Sequence, residues 1–316
     1  MRLEYQILIA AVLDLLIGDP RWLPHPVKWI GRFAQFMERP TRRILPARTA
    51  GIVTALSVIL GTAFATGGLI FLASMLHPFA ADAVSICLLY TTFAARDLAD
   101  HSGNVLRTLR EGDLPQARRY VSWMVGRDTE SLEEKEIVRA TVESVAENSV
   151  DGVIAPIFWA VIGGPIGAMA YKAVNTLDST FGYRNERYID FGRASAHIDD
   201  AANFIPARLA VPLITGAAFC LGMRGNEAWR IARRDGRNHA SPNSGWSEAA
   251  FAGALGIRLG GPVCRKGKPE TLPFLGEPCK ELTADCIGQA NNLMFVAAAL
   301  SIMAFITIRW LIERML

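Results

Sequence analysis

The chain has 316 residues, 51% of them apolar and 20% charged, with a net charge of +3 and a mean hydropathy of +0.23. So small and dispersed a charge argues against a nucleic-acid surface. The five cysteines are odd in number and contain no Cys-x-x-Cys pair, which argues against a zinc or dithiol site and reads as free thiols on a reducing side.

A helix rises about 1.5 Å per residue and the bilayer hydrocarbon is about 30 Å thick, so a span needs roughly 20 apolar residues. In chain order, the first apolar run, 5–17, is short and carries Asp14. No small-residue cleavage site follows it, so it is expected to stay in the mature protein. Gly18-Asp19-Pro20 reads as a turn, and His25 stands between two prolines in an extended loop. Spans are predicted at 50–76, which has no charge, and at 79–95. A surface helix pair follows at 98–111 and 114–125, around Gly112-Asp113. Ser131 and Glu134 form a capping-box pattern that predicts a helix start.

The helix over 139–151 places Glu143 and Glu147 four apart, with Asp151 a turn further on, opposite a stripe of Val138, Val142 and Val145. Like charges at that spacing repel unless compensated. Magnesium would compensate them, since it takes one or two carboxylates and completes its shell with water and phosphate oxygens. The alternative is a solvated face with Arg139 paired to Glu143. The run 152–174, a predicted span, begins directly after these carboxylates, and ionisable groups at a membrane boundary tend to mark sites.

Lys172 closes that run, followed by Asn175, Asp178, Arg184 and Arg187. The arginine forks suit phosphate or carboxylate, while snorkelling to the interface would account for Lys172 and Arg184 equally well. Spans are also predicted at 204–222 and 293–312. Pro156, Gly163-Gly164-Pro165, Pro206 and Pro212 leave room for re-entrant or discontinuous helices between 152 and 222. The run from Asp235 through His239 and Asn243 to Trp246 reads as a turn before a small-residue helix, 248–259, with Glu248 in its first turn, where the helix dipole favours an anion. Residues 263–278, rich in Gly, Pro and Lys, read as a loop. The polar stretches are 18–49, 96–151, 175–203 and 223–292. The first, second and fourth are heavily basic, which predicts that they face the cytoplasm. No Walker loop, dinucleotide fingerprint, nucleophile elbow or HExxH is present, so any use of a nucleotide is non-standard.

Four stretches in order, DLLIGDPRWLPHPVKWIGR (14–32), VGRDTESLEEKEIVRATVESVAENSVDGVIAPIFW (125–159), YKAVNTLDSTFGYRNERYIDFGRASAHIDDAANFIPARL (171–209) and RRDGRNHASPNSGWSEAAFAGALGIRLGGP (233–262), resemble the CobD/CbiB family of cobalamin biosynthesis, the adenosylcobinamide-phosphate synthases. The resemblance covers nearly the whole chain, 264–286 being idiosyncratic. It implies an all-α polytopic inner-membrane protein, a single domain over 1–316, with five or six membrane helices and cytoplasmic helices carrying the active site. It implies an ATP-dependent ligase joining a carboxylate of adenosylcobyric acid to the amine of aminopropanol or its phosphate. ATP and magnesium are the implied cofactors, and the lipid bilayer and other late cobalamin-pathway membrane enzymes the implied partners.

A carboxylate acylates poorly until phosphorylated, so such a site needs a metal and cations around the phosphoryl group. The expected magnesium ligands are Glu143, Glu147 and Asp151. Lys172, Arg184 and Arg187 are expected at phosphates, and Asn175, Asn243 and His25 at substrate. Asp178, His239 and Lys172 are the catalytic candidates, with Asp178 or His239 as the base. The alternative is an AmpE-like membrane sensor or regulator, or a transporter.

Overall fold

The computed structural model describes residues 1–20, 22, 25–183 and 185–315. In chain order the helices are α1 (Leu3–Ile17), α2 (Pro26–Ile44), α3 (Ala47–Leu76), α4 (Pro78–Tyr90), α5 (Ala95–Arg110), α6 (Leu114–Val121) and α7 (Glu134–Ser149). A π-helical turn, Val150–Ile154, leads into α8 (Ala155–Phe181), α9 (Arg193–Cys220), α10 (Gly225–Asp235) and α11 (Ser244–Leu255). A hairpin of β1 (Arg258–Arg265) and β2 (Lys268–Gly276) precedes α12 (Asp285–Met315). Among the described residues, five helical segments are long and apolar enough to cross a membrane: Ala47–Leu76, Pro78–Arg110, Glu134–Phe181, Arg193–Cys220 and Asp285–Met315. The protein is therefore an all-α, multi-pass membrane protein that also carries a small hairpin.

Two compact units form: unit one comprises Met1–Ala94, Ala155–Asn203 and Ala304–Leu316, and unit two Ala95–Ile154 and Phe204–Met303. In unit one the usual polarity is inverted. On α3 the buried face is small or polar, with Ala50, Gly51, Thr54, Ala55, Val58, Thr62 and Thr66, while Phe64 and Leu76 are exposed. Lipid tails solvate large apolar side chains as well as another helix does, so membrane helix contacts favour small residues that let backbones close up. A Cβ on Gly51 would run into the Phe191 carbonyl, which only glycine avoids. The core there joins Ile30, Ala34, Ala55, Val58, Met169, Leu177, Phe181 and Phe191. α1 likewise buries Gln6 and Asp14 and exposes Leu8, Val12 and Leu16.

The sequence left the continuity of 152–222 open. Gly164 breaks α8 with φ 59° and ψ −152°, directly before Pro165. Pro156 follows the π-helical turn; a proline ring clashes with the carbonyl four residues earlier, and a widened turn relieves it. Pro206 and Pro212 are absorbed within α9. Much of the polar stretch 175–203 is helical as well, since α8 runs to Phe181 and α9 begins at Arg193.

In unit two, α7 is buried nearly all round: Ile137, Val138, Thr141, Val142, Glu143, Ser144 and Val145 are all inside. It starts at Glu134 rather than Ser131, because the Glu136 side chain reaches back to the Glu133 N–H at 2.9 Å. α11 starts at Ser244, which places Glu248 past the first turn and removes the helix-dipole explanation for it. The stretch expected as a loop over 263–278 is instead mostly the hairpin. Its turn has positive φ at Lys266 (52°) and Gly267 (73°), the combination a tight two-residue hairpin turn requires. Asp128 fixes that turn by accepting from Lys266 N at 3.0 Å and Gly267 N at 2.7 Å. Gly260 and Gly261, at φ 78° and 93°, make the register irregularity that interrupts the alternation of β1.

Candidate functional site

Unit two contains a cavity of about 140 Å³ lined by Gly126, Arg127, Glu143, Ser144, Glu147, His239, Glu248, Arg265 and neighbouring apolar residues. Two elements position its carboxylates. Glu143 and Glu147 lie one turn apart on α7 and Glu248 faces them from α11, whose many alanines and Gly253 pack closely in the unit.

These carboxylates differ in their partners. Glu143 is fully engaged: Arg127 Nη2 reaches its Oε2 at 2.5 Å and Gly260 N donates to its Oε1 at 2.7 Å. The Arg127 and Glu143 side chains are 9% and 6% exposed, so this is a buried ion pair. Arg139, the partner expected from helical spacing, stands 4.0 Å away and spends its guanidinium on the Gly260 and Pro262 carbonyls, each at 2.7 Å. Glu147 accepts from Ser244 Oγ at 2.9 Å. Glu248 is 6% exposed and makes no hydrogen bond among the described residues. His239 Nε2 stands 3.8 Å from its Oε1, beyond hydrogen-bonding reach.

Burial is the largest influence on Glu248 and raises its carboxyl well above its ordinary range; Glu147 and Glu143 push the same way, against Arg127. On His239, Nδ1 accepts from Ser241 N at 3.0 Å, so the neutral ring carries its proton on Nε2, toward Glu248.

The expected metal set is not gathered here. Among the described residues no three His, Cys, Asp or Glu side chains come together to hold a metal, and Asp151 is in the π-helical turn, outside the cavity lining. Glu143 is already neutralised by Arg127, so Glu143, Glu147 and Asp151 do not form a set of three free carboxylates. Asn243 is 5% exposed and is gripped by Arg208, whose Nη1 donates to its Oδ1 at 2.9 Å.

The remaining candidates lie in unit one. Lys172, Asn175 and Asp178 are half-buried along α8. Asp178 interacts with Asp199 of α9, which accepts from Asn203 Nδ2 at 3.0 Å; Tyr171 donates to Asn203 Oδ1 at 2.8 Å. Arg187 is 67% exposed and bonds Glu38, 3.1 Å from Oε1, a carboxylate it shares with Arg42 at 2.9 Å. His25 precedes α2 with Nε2 3.4 Å from Asp19 Oδ1. Arg184 lies outside the described residues. A more open recess in unit one, about 430 Å³, is lined by Arg2, Glu4, Arg309, Glu313 and Arg314; Arg309 pairs with Glu4 at 3.4 Å and Glu313 at 2.7 Å, so its charges largely answer one another.

Sequence reasoning passed over Arg127, Ser244 and the Gly260 N–H, and explained Glu248 away. Arg127 and Gly260 carry no local signal, since their partner Glu143 lies 16 and 117 residues away. A glutamate at the centre of an alanine- and glycine-rich buried helix was the available clue for Glu248.

The sequence profile of the family described as CobD/Cbib protein matches residues 7–294. A cobalamin biosynthesis protein CobD of Geobacter metallireducens is 52% identical over 298 residues, 94% of each chain. A cobalamin biosynthesis protein CbiB of Salmonella choleraesuis is 46% identical over 305 residues, 95% of this chain and 96% of that one. A CobD of Citrobacter koseri is 46% identical over 308 residues. No solved structure matches. Identity at this level along almost the entire chain leaves one conclusion: the chain belongs to the CobD/CbiB family of cobalamin biosynthesis proteins.

Proposed function

We propose that this protein is an ATP-dependent acid–amine ligase, an adenosylcobinamide-phosphate synthase that joins a carboxylate of adenosylcobyric acid to the amine of aminopropanol or its phosphate. The observation that carries the proposal, beside family membership, is the buried polar cavity of unit two, where Glu147, Glu248 and His239 meet around Arg127 and Glu143. A buried carboxylate without a hydrogen bond is costly to keep and marks a site that something else completes. ATP supplies the phosphoryl group that turns the acid into an acylating agent, and magnesium accompanies it. Lys172 and Arg187 remain the proposed phosphate contacts in unit one, and no residue is assigned to the metal. The basic stretches 18–49, 96–151 and 223–292 support an inner-membrane location with these stretches on the cytoplasmic side.

The test is direct: purified protein in detergent, incubated with adenosylcobyric acid, aminopropanol phosphate, ATP and magnesium, should yield the amide, detected by mass. Folded protein that makes none across a range of metal concentrations and with either amine would exclude the ligase.

A further inference from the structure

We propose that the unit-two cavity seats the primary ammonium of the small amine substrate, between the carboxylates of Glu147 and Glu248. With the ligase activity as its premise, this assigns a subsite to one of the three substrates. Size selects which. At about 140 Å³ the cavity is well below the roughly 300–1,000 Å³ of pockets that enclose drug-sized ligands, so it has room for a molecule of a few heavy atoms and none for a corrinoid or a nucleotide.

Charge selects the end that enters. Glu143 is spoken for by Arg127 and the Gly260 N–H, whereas among the described residues Glu147 accepts one hydrogen bond, from Ser244, and Glu248 accepts none. Glu248 is nonetheless 94% buried, and the groups facing it are Glu147 and Glu143 on α7, Arg127 in the loop before α7, and His239 in the loop before α11. A compact cation with three donors, placed between Glu147 and Glu248, supplies the hydrogen bonds that Glu248 lacks and removes its conflict with Glu147. An alkylammonium meets that description. His239 is then a positioning residue, its Nε2 set toward Glu248 by the bond that Nδ1 accepts from Ser241. Arg265 lines the same cavity, half-exposed and with Nη1 3.6 Å from Glu270 Oε2, so a phosphate at the far end of an aminoalkyl phosphate meets a cation there in competition with that surface pair.

Calorimetry with 1-amino-2-propanol tests the subsite without ATP or corrinoid. The wild-type protein should bind the amine and not 1,2-propanediol, which replaces the ammonium by a hydroxyl; equal binding of both, or binding of neither, overturns the proposal without the need for any mutant. Displacement of the amine by magnesium alone overturns it too, since the carboxylates would then be metal ligands. In turnover, Glu248→Gln should raise KM for the amine about 10- to 100-fold, the loss of a charge-assisted hydrogen bond, and leave KM for ATP unchanged. An unchanged amine KM in an active variant refutes the subsite and leaves the ligase standing. Absence of amide from the wild-type protein refutes the ligase, and the calorimetry still decides whether an ammonium site exists.

Discussion

Replacing Arg127 by Met should make unit two unfold more easily. The side chain is 9% exposed and its Nη2 lies 2.5 Å from a Glu143 carboxylate that is itself 6% exposed. Methionine keeps the bulk and removes the charge, which strands Glu143 beside Glu147 and Glu248 with only the Gly260 N–H at 2.7 Å and Arg139 at 4.0 Å. Leaving one partner of a buried pair uncompensated costs about 3–5 kcal/mol. For a unit of this size each kcal/mol lowers the midpoint by about 2–4 °C, so the expected drop is about 6–20 °C. Cys286 reports the loss, being 1% exposed within unit two: its modification by a thiol reagent, followed by peptide mass in detergent at rising temperature, should begin at correspondingly lower temperature. Arg127→Met combined with Glu143→Gln should recover part of the loss, because the stranded charge is gone. A single variant within 1 kcal/mol of wild type, or a double variant no better than the sum of its parts, would refute the assignment of this pair as the compensating charge of the cavity.

Glu248→Gln should raise stability at neutral pH. The folded carboxyl is held above its ordinary value near 4.5, first by burial, so the folded state binds more protons than the unfolded one above that value, and wild-type stability falls as pH rises through the folded pKa. The advantage of the variant should therefore shrink as pH falls toward 4.5, and a constant gap in midpoint between pH 7.5 and 5 would contradict this. Gly51→Val should cost about 1–3 kcal/mol or more by driving a side chain into the Phe191 carbonyl, seen as lowered thermal stability of unit one; an unchanged midpoint would mean that α3 and this segment do not meet so closely. Asp128→Asn should speed amide exchange at Lys266 and Gly267. In the wild type the Gly267 N–H, then Cys264 and the Lys266 N–H, hold Asp128 below its ordinary 3.8, so the same acceleration should appear as pH falls below that value, once the slowing of intrinsic exchange is corrected for.

What the residues determine alone is what depends on local composition. The apolar runs at 50–76, 152–174 and 293–312 specify membrane helices because hydrocarbon length and helix rise are fixed quantities, and all three fall within candidate spans. The four ordered motifs specified the family for a similar reason, each being a contiguous string. Periodicity was weaker where backbone conformation depended on a distant partner: the hairpin at β1 and β2 was hidden by glycines whose positive φ makes its turn and bulge, and by prolines that suggest a loop.

Only the tertiary structure decided which charges meet. Helical spacing put Arg139 on Glu143, yet Arg127 from the preceding loop and a backbone N–H from β1 hold that carboxylate. Spacing also grouped Asp151 with the glutamates, whereas folding brings Glu248, about a hundred residues on, to the same cavity. The physical reason is that a charge's cost and purpose are set by burial and by the groups within a few ångströms of it, and neither quantity exists until the chain has closed upon itself.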